Sequence, residues 1–123
     1  YDPEQEGRPL RWTKMQAITN FYGCYAYLVE PNQKNGIYGH GKERYNAIMD
    51  VLAIRDPDGN IPADTAWRAL QAAAQEPSPE EVTSNTQWSL VYDNTALTAQ
   101  IVIRRDWNTV TGYDLNTNRI GGN

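Results

Sequence analysis

The chain is expected to be α+β, an antiparallel β-sheet with helices packed on one face, because two kinds of periodicity follow one another along it. In the middle, Tyr45, Ile48, Met49 and Leu52 fall at i, i+3, i+4 and i+7. Near the end, Trp88, Leu90 and Tyr92 alternate with Gln87, Ser89 and Val91, and Leu97, Ala99, Ile101 and Ile103 alternate with polar or small neighbours. Short turn sequences separate these last runs, which makes them sequential strands of a meander.

The elements follow in order. Residues 1–9 carry two prolines and a glycine and read as an extended arm or linker. Residues 10–20, with Trp12, Thr13, Met15, Ile18 and Thr19, have strand composition. Residues 23–29 are rich in aromatic and branched side chains and read as a further strand or as a structured loop crossing a pocket. Residues 31–41 hold three glycines and a proline, the composition of a loop. A helix is predicted over 42–54, stopped by Asp56-Pro57-Asp58-Gly59-Asn60. Asp64 is placed to cap a second helix whose inward face is Trp67, Leu70 and Ala74. Ser78-Pro79-Glu80-Glu81 has the order of a capping box and predicts a short third helical turn. Strands are expected over 86–92, 97–104 and 108–113, and a frayed tail over 116–123.

With 123 residues and one cysteine, a single domain with a hydrophobic core and no intramolecular disulfide is expected. Net charge is −4, and the densest basic pair, Arg104-Arg105, is followed at once by Asp106. Binding to a phosphate backbone needs a positive field, so nucleic acid is not an expected partner. No apolar run reaches membrane-spanning length. Four tryptophans and eight tyrosines against one phenylalanine favour half-wet surfaces, either paving a sheet under helices or lining a pocket.

Few residues carry chemistry. Cys24 lies among Tyr22, Gly23, Tyr25 and Ala26 with no neighbouring base or cation, and reads as a buried structural thiol. His40 stands alone between glycines, so no metal site and no cofactor is expected. Glu80-Glu81 and the Asp56/Asp58 pair have simpler uses as cap and turn formers, and Gly36, Gly39 and Gly41 lack phosphate-loop spacing. Asn20 ends the first strand pattern: it is either a turn residue or an amide donor facing a cleft, able to stabilise an oxyanion. Arg44 falls in the first turn of a helix, where a cation opposes the macrodipole, so it is either a solvated surface arginine or committed to a site.

Three segments together resemble a known family. Ala17-Ile18-Thr19-Asn20-Phe21, the stretch Gly39-His40-Gly41-Lys42-Glu43-Arg44-Tyr45, and Thr86-Gln87-Trp88-Ser89-Leu90-Val91-Tyr92-Asp93 are similar to the C-terminal part of linear amide C–N hydrolases. This Ntn-hydrolase group includes choloylglycine hydrolases, penicillin V acylases and isopenicillin N acyltransferases, and the resemblance spans residues 12–115. It implies that residues 10–115 form the C-terminal part of an αββα sandwich. It further implies that Asn20 donates to the oxyanion, that Arg44 favours the charged nucleophile, and that Phe21, Tyr22 and Tyr25 wall the pocket.

In the family the nucleophile is a processed N-terminal cysteine whose α-amino group, with a pKa of ~7.7–8.0, serves as base. The thiolate attacks an amide carbonyl, the amine leaves with a proton, and water or a second amine resolves the acyl-enzyme. Cys24 follows the oxyanion asparagine and does not match that nucleophile, and Glu43 stands where many members have serine. The implied partners are therefore a small-molecule amide and a missing N-terminal segment of the same enzyme. A homo-oligomer is a further expectation. The rival expectation is a non-enzymatic binding module, or a pseudo-enzyme, that uses its Trp/Tyr surface.

Overall fold

The computed structural model describes residues 1–122, and these form two compact units, Tyr1–Thr65 and Ala66–Asn123. Among the described residues, the buried apolar side chains are Phe21, Val29, Ala69 and Val102, divided between the units. The buried set is small because many large apolar side chains stay exposed, aliphatic ones such as Leu10, Ile37 and Val82 as well as Trp12 and Tyr27.

The first unit consists largely of loops around one helix. Residues 1–9 are folded back rather than extended: Asp2 N–H donates to the Pro9 carbonyl at 3.0 Å, and Arg8 N–H to that of Gln5 at 3.0 Å. The buried Asp2 carboxylate anchors this loop by accepting from Tyr25 Oη at 3.0 Å, Glu4 N–H at 3.1 Å and Arg11 Nη2 at 3.3 Å. The strand expected over 10–20 does not form. Its Leu10 and Trp12 are exposed, no neighbouring strand takes its backbone groups, and Thr13 Oγ1 accepts from Met15 N–H instead. Nor are residues 23–29 a strand. Gly23–Leu28 is a 3₁₀ segment kinked at Tyr25, closed by local bonds such as Tyr25 N–H to the Tyr22 carbonyl.

Helix α1, Lys42–Leu52, forms where the apolar stripe predicted one, and Asp56 closes the loop behind it by accepting from the Asp58 and Asn60 N–H groups. Helix α2, Thr65–Ala72, follows. Its start is organised by the Pro62 carbonyl, which accepts from both the N–H and the hydroxyl of Thr65, rather than by the expected Asp64 cap. The third helical turn is also absent. Ser78 Oγ and the Ser78 carbonyl both accept from Glu81 N–H, which is half of a capping box around a turn that no helix continues.

The second unit is built on a four-stranded antiparallel sheet in the order β1-β2-β3-β4, with β1 Trp88–Asp93, β2 Thr98–Ile103, β3 Thr111–Asp114 and β4 Arg119–Gly122. The segment expected to fray contributes β4, because Asp114 and Tyr113 Oη organise the preceding turn through Asn116 N–H and Asn118 Oδ1. Paired residues share a face. The pairs Trp88–Ile103, Leu90–Ile101, Tyr92–Ala99, Ala99–Tyr113 and Tyr113–Ile120 therefore compose one face. On the other face Ser89 and Val102 are buried, and Gln100 Oε1 accepts from Trp67 Nε1 of α2 at 3.3 Å. Trp67 of helix α2 thus reaches that face by its indole N–H, and its ring meets Trp107 edge to face.

Arg105 ties this unit together after β2. Its Nη1 donates to Asn85 Oδ1 at 2.7 Å and to the Thr86 carbonyl at 2.6 Å, while Nε pairs with Glu76 Oε2 at 3.0 Å. Arg105→Ala removes all three contacts and is expected to lower unfolding stability by about 2 kcal/mol in urea titration, since hydrogen bonds to a mostly buried charged donor are worth more than neutral ones.

Candidate functional site

The site is assembled by a short antiparallel contact between residues 19–22 and 38–41. Phe21 bridges Gly39, Tyr22 N–H donates to the Tyr38 carbonyl at 2.9 Å, and His40 N–H to the Asn20 carbonyl at 2.8 Å. The two chains approach so closely that a Cβ on Gly39 would stand 2.2 Å from the Asn20 carbonyl oxygen. Gly39 also has φ of 112°, a conformation open mainly to glycine. Thr19 Oγ1 then donates to the Gly41 carbonyl at 2.8 Å. Gly41, left-handed at φ 82°, turns the chain directly into α1.

That turn brings Arg44 back over Asn20. Arg44 Nη2 donates to Asn20 Oδ1 at 2.6 Å, a charge-assisted bond. The Asn20 amide is oriented by it: the carbonyl end is occupied, and the NH₂ end keeps both donors without a partner among the described residues. The Arg44 side chain is only 18% exposed, and its Nε is buried with no hydrogen-bond partner. Glu43 Oε1 lies 3.9 Å from that nitrogen, too far for a hydrogen bond, and Oε2 accepts from Asn32 N–H. Glu43 therefore leaves the guanidinium–amide contact intact.

A cleft of about 380 Å³ opens beside the amide, lined by Thr19, Asn20, Phe21, Tyr22, Gly36, Ile37 and Gly39. No lining residue is ionisable near neutral pH, and the charge beside the amide is the Arg44 guanidinium bonded to its oxygen. Of the aromatic residues expected to wall the pocket, Phe21 and Tyr22 line it. Phe21 is at the same time core, packed edge to face on Tyr45. Tyr25 stands elsewhere, stacked on Tyr38 and bound to Asp2. Cys24 is exposed rather than buried, and lies apart from the cleft lining. Nothing in the sequence marked Ile37. Gly39 and Gly41 stood out only as loop glycines without phosphate-loop spacing and as the start of the Gly39–Tyr45 stretch, with no sign of the close approach to Asn20 and Phe21.

Among the described residues no group of three or more His, Cys, Asp or Glu side chains could hold a metal, and no helix is long and apolar enough to cross a membrane. Comparison with family models, with curated proteins and with solved structures returned no match.

Tyr1 packs on Tyr22, with its ring edge-on and the two hydroxyls 3.2 Å apart. Its neighbour Asp2 is held below the usual carboxylate range: burial pushes it up, but the Tyr25 hydroxyl, Glu4 N–H and Arg11 outweigh burial. Burial and the bond to Asp2 push Tyr25 from 10.0 up to about 12. The signs follow by linkage. Asp2, with its folded value lowered, stabilises the loop above about pH 4 and loses that effect as pH falls through the lowered value. Tyr25, with its folded value raised, stabilises it below pH 10.0 and loses the effect on rising towards about 12. NMR signals of residues 1–11 are therefore expected to keep folded shifts at neutral pH and to shift towards disorder at both extremes, with the acid limb absent in Asp2→Asn.

Gly41→Ala offers a direct check on the turn. Its Cβ would meet Arg44 Nη2 at 2.4 Å, and the left-handed φ adds strain of roughly 1–2 kcal/mol. The guanidinium is expected to leave Asn20, read as a change in the Asn20 side-chain NH₂ shifts with α1 still helical by circular dichroism.

Proposed function

We propose that the chain is the C-terminal segment of an Ntn-type linear amide C–N hydrolase or acyltransferase whose nucleophilic cysteine is carried outside these residues. What supports the proposal is one contact, Arg44 Nη2 on Asn20 Oδ1 at 2.6 Å at the side of a cleft. An amide fixed through its oxygen presents N–H donors without reorganisation, which is what a tetrahedral oxyanion needs. The guanidinium behind it supplies positive charge for a thiolate. In this proposal Phe21 and Tyr22 contact the substrate next to the reacting carbonyl, and Tyr25 acts only by supporting Tyr38 and Asp2.

The sheet enters the same proposal as one layer of an αββα sandwich, with α2 as its outer layer and the Trp88–Ile103 face turned inward. The competing reading, a binding module, draws on exposed Trp12, Tyr27, Trp88 and Tyr92. It predicts a specific ligand and no turnover under any reconstitution.

The test is hydrolysis of a chromogenic N-acyl amide by the 123 residues alone and by the chain extended upstream of Tyr1 through its coding sequence. The isolated chain is expected to be inert and the extended chain active. In the active form Asn20→Ala should lower kcat by roughly 10²–10³-fold, the usual cost of an oxyanion donor. Arg44→Ala should move the acid limb of the pH–rate profile upward, because the thiolate loses a cation. Turnover by the isolated chain, or indifference to Asn20→Ala, would reject the assignment.

A further inference from the structure

Glycines occupy positions in the sheet where side chains are expected. Gly112 of β3 pairs with Gln100 of β2 on one side and with Gly121 of β4 on the other, so the three share a face. A glycine inside a strand weakens it, and marks a bulge, a sharp bend, or a surface that another backbone or a ligand approaches closely. The pairing here runs unbroken from Thr98–Asp114 to Ile101–Thr111 and from Thr111–Gly122 to Asp114–Arg119. Neither glycine has a positive φ, which leaves no bulge and no sharp bend. No further backbone is close, since a Cβ on Gly121 would meet nothing within 4 Å. The bare strip instead floors a cavity of about 490 Å³, a volume in the range of small-molecule sites.

We infer that this cavity binds a neutral sugar ring, its C–H face laid on the Gly112–Gly121 floor beside Val110 and its hydroxyls meeting the rim. The rim supplies both kinds of partner. Trp67 Nε1 holds Gln100 Oε1 at 3.3 Å, so the amide keeps its two N–H donors without a partner among the described residues. Arg119 lines the cavity too, and makes no ion pair among the described residues. Asp114 stands opposite it in register, yet the two side chains do not pair. The Asp114 carboxylate, held below its usual range chiefly by Asn116 N–H, is ionised at neutral pH and has lone pairs left to accept hydroxyls.

Charge and spacing select the ligand. One carboxylate and one guanidinium cancel, so a simple anion would be repelled by Asp114 and a simple cation by Arg119. Gln100, Asp114 and Arg119 lie on three successive strands, and at about 4.8 Å between strands they spread over about 10 Å. An α-amino acid carries both its charges on one carbon and leaves Gln100 unanswered. A ring with hydroxyls around its edge answers all three, accepting from the guanidinium and the amide and donating to the carboxylate. An open site of this kind suits millimolar rather than micromolar affinity. The inference is independent of the chemistry proposed for Asn20, which lies in the other unit.

The test is an NMR titration of the ¹⁵N-labelled chain with glucose, galactose and mannose in turn, each up to about 100 mM. At least one sugar is expected to give saturable shifts in the Gln100 side-chain NH₂ and in the Gly112 and Gly121 amides. Gly121→Val fills the cavity with a side chain that meets no neighbour, so β4 should stay paired while those shifts are lost. Arg119→Met, at an exposed position where folding is not at stake, should weaken binding at least about tenfold, because a charged donor is removed. Failure of all three sugars to shift these groups overturns the inference. So do shifts that survive Gly121→Val, which would place binding elsewhere. Shifts with free alanine or acetate and none with a sugar also overturn it, and would make the site one for an amino acid or a simple anion. Asn20→Ala should leave sugar binding unchanged, so loss of this site and loss of the oxyanion role are read separately.

Discussion

A hydrogen bond between Arg44 and Asn20 is the constraint on which the candidate site depends, and two glycines make it available. Gly39 lets residues 38–41 lie against residues 19–22 at a separation that no side chain would permit. Gly41 turns the chain sharply enough that the first turn of α1 faces back over the same segment. Arg44 is then spent on an amide oxygen rather than on solvent. A cation at a helix start opposes the macrodipole, so its burial there carries a cost that a surface position would avoid. The bond orients Asn20 and leaves its donors for something else.

Around that bond the first unit supplies packing through aromatic rings rather than an aliphatic core. Phe21 meets Tyr45, Tyr25 stacks on Tyr38, and Lys42 lies over both Phe21 and Tyr45 while donating to the Ala26 carbonyl at 2.6 Å. The Asp2 carboxylate holds the N-terminal loop in place through three separate donors. Polar contacts of this kind depend on geometry and protonation more than aliphatic packing does. The unit around the cleft is therefore sensitive to pH at Asp2 and Tyr25, as the sheet unit is at Asp114, whose carboxylate is held below its usual range chiefly by Asn116 N–H.

How far these features could be read without coordinates differs by element. The apolar stripe of α1 and the alternation of β1 and β2 were legible, because each is a local pattern whose period is imposed by backbone geometry. Residues 10–20 misled for the opposite reason: strand composition is no strand without a neighbour to take its hydrogen bonds. The tail erred the other way, since β4 exists only because β3 offers an edge and a turn rich in polar side chains returns the chain to it. Asn20 and Arg44 could be nominated by residue type and by resemblance, but nothing in their spacing of 24 positions announced a 2.6 Å contact.

Sequence alone determined the α+β class, the position of the main helix and the start of the meander, all of which follow from short-range periodicity and turn chemistry. Tertiary structure decided the division into two units, the fourth strand, the placement of Tyr25 away from the cleft and the meeting of amide with guanidinium. These depend on how distant segments approach one another. Such approach is governed by left-handed glycines and unpaired backbone groups, whose effect no local window of sequence contains.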